Sequence, residues 1–126
     1  MELKDLVGFQ LVELNDDTMV VKKDNNVYTI DFNRDEGDCC GYTEVENNLL
    51  FDKNNTKSNP IITKIETESD TDEYGDYDVI NITLFGEYKP MATIRAEAGS
   101  GSGWCYGASV TVECKPLQLE ETIVSW

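Results

Sequence analysis

Short runs in which apolar and polar residues alternate dominate this chain, and they constrain its fold more than any other feature. The alternation is clear in residues 28–32, 79–85 and 108–114. A period of two places every second side chain on one face of a strand, so each run predicts a half-buried β-strand. The turn signal at residues 24–26 follows residues 18–23, and the two runs around it are predicted to form a hairpin.

The chain of 126 residues has the length of a single domain, which we assign to residues 1–126. About seven short strands joined mostly by tight turns predict a mainly β fold, in which an antiparallel sheet forms a sandwich or a half-barrel. The segment Thr43-Glu44-Val45-Glu46 has the pattern of a capping box, which predicts one short helix near residues 43–51. The tail, residues 117–126, is predicted to add an edge strand.

The charge of the chain restricts its partners. It has 25 acidic and 10 basic residues, for a formal net charge of −15. Such a charge repels nucleic acids and anionic membranes and suits a protein partner with a basic surface. A simpler interpretation is that the acidity only keeps the protein soluble. The charged N-terminus and the lack of long apolar segments predict no secretory signal and no membrane span, so we expect a cytoplasmic location.

Catalysis has little support in this sequence. Histidine is absent, which removes the usual general base and excludes Ser-His-Asp and Cys-His arrangements. Carboxylate pairs are abundant, but in so acidic a chain their abundance carries no specificity. The composition therefore favours a binding protein over an enzyme.

The candidate metal ligands are the four cysteines, Cys39, Cys40, Cys105 and Cys114. Four thiolates form the closed tetrahedral site that is typical of structural zinc, and in a reducing cytoplasm metal binding is commoner than stable disulfides. The spacing lacks the CxxC pairs that make a zinc prediction specific. Free thiols and disulfides therefore stay open as alternatives. Cys114 has the strand parity of a core residue, and Asp38 is then the candidate fourth ligand.

A second candidate site is the acidic stretch between residues 66 and 78. Its acids are separated by Thr, Ser and Tyr, and the spacing suggests a mimic of nucleic-acid phosphates that binds a basic groove. The alternative is a solvated acidic loop between two strands. A calcium loop fits poorly, because the EF-hand glycine and terminal glutamate are missing. The candidate partner-binding residues are Glu66, Glu68, Asp70, Asp72, Glu73, Asp76 and Asp78.

The motif Gly37-Asp38-Cys39-Cys40, followed by an aromatic residue, resembles a motif in a family of small phage and prophage proteins. The similarity extends to Leu6-Val7-Gly8, to residues 61–66 and to the small-residue, aromatic turn at residues 104–109. It covers most of the chain, although only the GDCC motif is distinctive. The family supplies no activity that transfers residue by residue.

The chain is also similar to the type II anti-CRISPR proteins, which inhibit Cas9, and its cysteine set resembles that of a zinc-containing member. The resemblance implies a phage-encoded inhibitor that binds a basic surface of a Cas9-type nuclease in the host cytoplasm and interferes with the loading of target DNA. One alternative is a phage protein that sequesters a nucleotide immune signal, by stacking on Trp104, Tyr106 or Tyr88 and pairing phosphate with Arg95. The other is a minor structural protein of the phage.

Overall fold

The fold is mainly β, as the alternating pattern predicts. The computed structural model describes residues 1–36, 41–51, 60–71, 75, 77–87, 89–100 and 107–126. Within these ranges the chain forms nine strands and two short 3-10 turns, Leu3–Leu6 and Lys115–Leu117. The strands are β1 (Gln10–Leu14), β2 (Thr18–Lys23), β3 (Asn26–Asp35), β4 (Gly41–Leu49), β5 (Lys64–Thr71), β6 (Tyr77–Gly86), β7 (Lys89–Ser100), β8 (Ser109–Cys114) and β9 (Leu119–Ser125).

The strands form two antiparallel sheets. The first sheet has the order β1-β2-β3-β8-β9, and the second has the order β4-β7-β6-β5. The inner faces of both sheets contribute to one hydrophobic core, which includes Met19, Ile30 and Val110 from the first sheet and Ile82 and Ile94 from the second. Of the two predicted architectures, a sandwich is therefore correct. β9 is the edge strand predicted for the tail.

The hairpin of β2 and β3 forms where the sequence predicts it. Lys23 pairs with Asn26, which leaves Asp24 and Asn25 as a two-residue turn. Their φ angles are 52° and 68°, the left-handed conformation that Asp and Asn tolerate better than other residues with side chains. Two successive positive φ angles match the right-handed twist of the flanking strands and so fix the register of the hairpin.

The helix predicted near residues 43–51 is wrong, because this segment is strand β4. Thr43 and Val45 are buried on the inner face, and Glu44 and Glu46 are exposed on the outer face. The Thr43 hydroxyl does not cap a helix but donates to Glu36 Oε1 at 3.2 Å. The pattern Thr-x-x-Glu is compatible with a helix and with a strand. The strand forms because it buries every second side chain of this segment in the core.

Polar contacts join the two sheets on the side where β4 lies. Asn47, only 8% exposed, donates its backbone N–H to Asp16 Oδ1 at 2.9 Å and its side-chain amide to the carbonyl oxygen of Asn15 at 2.8 Å. Asn15 and Asp16 belong to the turn between β1 and β2, so these bonds attach one edge of the second sheet to the first sheet. They satisfy buried polar groups that would otherwise destabilise the fold.

Neither 3-10 turn has the length or the apolar composition to cross a membrane, and the described ranges contain no other helix.

Candidate functional site

The outer face of the second sheet carries a concentration of carboxylates, which we call the acidic face. Register places Glu44 directly opposite Glu97, and Glu46 opposite Arg95. The row that begins at Glu46 and Arg95 continues through β6 to Glu68. Alternation in each strand points these side chains away from the core. The acids of this face are Glu44 and Glu46 on β4, Glu97 on β7, and Glu66, Glu68 and Asp70 on β5.

Two cations lie on the acidic face among its described residues, and both are already paired. Arg95 Nη2 lies 2.8 Å from Glu97 Oε1, and its side chain is 37% exposed. Lys64 Nζ lies 2.6 Å from Glu66 Oε1 at the beginning of β5. Six carboxylates therefore share two cations, and the face keeps an excess of negative charge at neutral pH.

Glu97 is the most constrained carboxylate of this face. Its side chain is 13% exposed and accepts hydrogen bonds from Arg95 at Oε1 and from the Tyr42 hydroxyl at Oε2, the latter at 2.8 Å. Burial raises the pKa of Tyr42 to about 12, and the hydrogen bond to Glu97 adds to the shift. Tyr42 therefore stays a neutral donor at neutral pH, and Glu97 is held in one orientation from two sides.

The acidic stretch at residues 66–78 is divided between different parts of the fold. Glu66, Glu68 and Asp70 lie on strand β5 and not in a loop, and all three are exposed on the acidic face. Asp78 lies on β6, opposite Thr71 and Ala98, and shares the inner parity of Ile80 and Ile82. It therefore does not belong to the acidic face. The other predicted residues, Asp72, Glu73 and Asp76, lie outside the described residues.

Three of the six acids of the acidic face are not among the residues that the sequence predicts to bind a partner. The capping-box pattern places Glu44 and Glu46 in a predicted helix, and no motif marks Glu97. Burial alternates through residues 43–47, with Thr43, Val45 and Asn47 inside, so a period of two was present. Because two of these inner residues, Thr43 and Asn47, are polar, the sequence does not show the alternation as an apolar pattern. The approach of β4 and β7 to β5 depends on strand order, which no local pattern reveals.

Among the predicted metal ligands, the structure describes Cys114 alone. Cys114 is a free thiol, 4% exposed, at the end of β8 and within the hydrophobic core. Cys39, Cys40 and Cys105, with the alternative ligand Asp38, lie outside the described residues. Within the described part of the chain, no three His, Cys, Asp or Glu side chains are grouped as a metal site.

The strand register separates Cys114 from the segments that precede and follow the other cysteines. Gly41, which follows Cys40, pairs with Ser100. Gly41 is also close to Gly107, because a Cβ atom built on Gly41 would lie 3.5 Å from the Gly107 carbonyl oxygen. From Ala108 to Cys114 the extended chain rises about 20 Å. Sulfur ligands of one zinc ion lie within a few ångströms of one another, at about 2.3 Å from the metal. The geometry therefore favours Cys114 as a core residue.

The residues named for nucleotide binding give that alternative little support. Arg95 forms an ion pair with Glu97 and lies opposite Glu46 in the sheet. A phosphate that approached the Arg95 guanidinium would therefore also approach these two carboxylates. Trp104, Tyr106 and Tyr88 lie outside the described residues. Anion binding in such surroundings is electrostatically unfavourable.

Comparison with known proteins gives a family but no activity. No curated protein and no solved structure matches the chain. A family model described as a domain of unknown function, DUF7448, matches residues 4–112, which include strands β1 to β7 and most of β8. The match covers most of the chain, and the protein therefore belongs to the DUF7448 family.

Proposed function

We propose that this protein is a non-catalytic inhibitor that uses its acidic face to bind a basic surface on another protein. The partner we propose is a Cas9-type CRISPR nuclease in the cytoplasm of a phage-infected host. The observation that carries the proposal is the acidic face itself, where five exposed carboxylates and the largely buried Glu97 share two cations that are already paired. The nuclease and the phage origin are inferred from the resemblance of the GDCC motif and the cysteine set.

The proposed partner has the complementary charge. Cas9-type enzymes hold the guide RNA and the target DNA in positively charged channels and recognise their backbones. The acidic face is built on four strands spaced about 4.8 Å apart, so its carboxylates lie on a rigid surface rather than on a mobile chain. A basic channel occupied by this face would no longer load target DNA, and that competition needs no chemical step.

We further propose a structural zinc ion held by Cys39, Cys40 and Cys105, with Asp38 as the fourth ligand because Cys114 lies in the core. Thiolates and a carboxylate are ligands that zinc accepts, although a closed four-cysteine set is commoner. The ion would tie the segment between β3 and β4 to the segment between β7 and β8. Such a bond contributes to the free energy of folding and leaves no open position for catalysis.

The test is inhibition of target DNA cleavage by a purified Cas9-type nuclease, with the protein added before or after the DNA. We expect inhibition when the protein is added first, and little when the DNA is already loaded. The variant E44K/E46K should lose inhibition by at least about tenfold, since each reversal replaces attraction by repulsion at the basic surface.

The matched control is D31K/E120K, which makes the same change in net charge on the outer face of the first sheet, where both residues are exposed. This control should inhibit within about threefold of the unmodified protein. Equal loss in the two variants would assign the effect to net charge and not to the acidic face. Full cleavage in the presence of the unmodified protein would eliminate the nuclease as partner.

A further inference from the structure

The two edges of the second sheet differ in how their backbone groups are satisfied. On β4, the N–H of Asn47 is accepted by Asp16 at 2.9 Å, and the N–H of Thr43 by Glu36 at 3.3 Å. On β5, one such hydrogen bond from a backbone N–H to a side chain is found among the described residues, from Thr71 to its neighbour Asp70. β5 pairs with β6 and with no other described strand. Such an edge offers a row of backbone donors and acceptors to an additional strand.

A cleft of about 230 Å³, lined by apolar and polar side chains, opens between the two sheets on the inner side of this edge, at Ile65 and Thr67. It lies on the side of the sandwich opposite to the contacts of Asn47. A strand added to β5 would point every second side chain toward this cleft. Its lining includes the apolar side chains of Ile65, Ile80, Ile82 and Ile123 and the polar side chains of Thr67 and Glu121.

On the outer side of the same edge, the first position is Lys64 and the next three are acidic. Glu66, Glu68 and Asp70 pair with β6 residues on the acidic face and are all exposed. A shallow depression of about 460 Å³ lies beside them, over Asn81 and Thr83 of β6. The side chains of an added strand that do not face the cleft would lie next to these carboxylates. Lysine or arginine at those positions would form cross-strand pairs of opposite charge.

The same charges disfavour a second copy of this chain at the edge. Two β5 strands related by a two-fold axis would form a continuous sheet with the acidic faces on the same side. Glu66, Glu68 and Asp70 of one copy would then face the same acids of the other, and like charges directly opposite destabilise a strand pair. The carboxylates of β5 therefore disfavour pairing with β5 of a second copy, whereas they favour pairing with a basic strand.

We propose that β5 is a docking edge for an extended segment of the partner protein, in which lysine or arginine alternates with small apolar or β-branched residues. This inference deepens the proposed function and rests on it, since it names the form in which the basic surface is presented. The segment adds a fifth strand to the second sheet by backbone hydrogen bonds. Its basic side chains meet the acids of β5, and its apolar side chains enter the cleft at Ile65 and Ile80.

The experiment uses an eight-residue peptide with blocked ends, in which lysine alternates with valine or threonine. Its control has the same composition with the four lysines together at one end. We expect the alternating peptide to bind at least about tenfold more tightly, since only this order puts charge on one side and apolar groups on the other. Amide hydrogen exchange should slow along residues 64–71 when the alternating peptide binds.

Variants locate the binding on the protein. E66K/E68K should weaken binding of the alternating peptide by about tenfold or more, while D31K/E120K, with the same charge change on the outer face of the first sheet, should weaken it by less than about threefold. The proposal of a docking edge would be overturned by any of three results. These are equal loss of peptide affinity in both variants, equal affinity for both peptides, and unchanged amide hydrogen exchange along β5. A dimer that E66K/E68K dissociates would also overturn it, in favour of a second copy.

The peptide measurements are independent of any nuclease. If the peptide results hold and the nuclease is not inhibited, the docking edge stands and its partner is another basic protein. If the nuclease is inhibited and the peptide results fail, the acidic face acts without strand addition.

Discussion

Replacing Asp16 by alanine tests whether the polar contacts at β4 hold the two sheets together. Asp16 itself is exposed, and its Oδ1 accepts the backbone N–H of Asn47, a residue that is 8% exposed, at 2.9 Å. Removing the acceptor leaves a buried donor, which costs about 1–3 kcal/mol when no other group replaces it. The loss of one carboxylate from a chain of charge −15 relieves some repulsion and offsets a few tenths of this. We therefore expect D16A to lower the free energy of unfolding by about 1–2 kcal/mol.

The matched control for this substitution is D17A, at the adjacent position of the same turn. Its carboxylate is 87% exposed and lies 4.0 Å from Arg34, a contact worth at most about 1 kcal/mol. Urea and thermal unfolding at neutral pH should place D16A below D17A by about 3–8 °C in melting temperature. Equal stabilities of the two variants would show that the contact with Asn47 does not stabilise the fold and would refute the reasoning.

Four other outcomes are expected. In E97Q, the pKa of Tyr42 should fall from about 12 but stay above 10.0, because the hydrogen bond to a carboxylate is lost and burial remains; absorbance titration against Y42F measures it. The unmodified protein loses this tyrosine's contribution to stability as pH rises from 10.0 through about 12, since the folded pKa is raised. Elemental analysis should find less zinc per chain in C40S and undiminished zinc in C114S, whose thiol lies in the core. Finally, the melting temperature should rise with salt between about 20 and 300 mM, because screening weakens repulsion on the acidic face; a flat or falling trend contradicts this.

The parts of the fold that the sequence predicts are those in which local and tertiary preferences agree. At β2 and β3, alternation and an Asp-Asn turn point to the same hairpin, and the structure has it. At β4, the inner positions include the polar residues Thr43 and Asn47, so the period of two is weak and the capping-box pattern prevailed in the prediction. The Thr43 hydroxyl donates to Glu36 and the Asn47 side-chain amide donates to Asn15, whereas Asn47 Oδ1 is buried without a partner among the described residues. Asn15 is 32 positions from Asn47, and a local pattern does not contain such a partner.

The acidic face was predictable only in part for a related reason. Glu66, Glu68 and Asp70 stood out as a run of acids, but an edge strand that is exposed on both sides has no apolar face and resembles a loop in sequence. Glu44 and Glu97 stood out in no window, because they are 53 positions apart and become neighbours through the pairing of β4 with β7. A site assembled across strands requires the strand order, which short-range periodicity does not determine.

The position of the charges also bears on why such a face persists in a stable fold. Glu44 directly opposite Glu97 is unfavourable, and Arg95 and Tyr42 offset only the charge of Glu97. On β5 the same repulsion has a use, since an exposed edge is a hazard for self-association and alternate carboxylates oppose pairing between copies. In the proposed complex, a basic strand or surface replaces this repulsion with attraction between opposite charges, and part of the unfavourable free energy of the isolated sheet is recovered on binding. The carboxylates that oppose pairing between copies would then also favour the proposed basic partner.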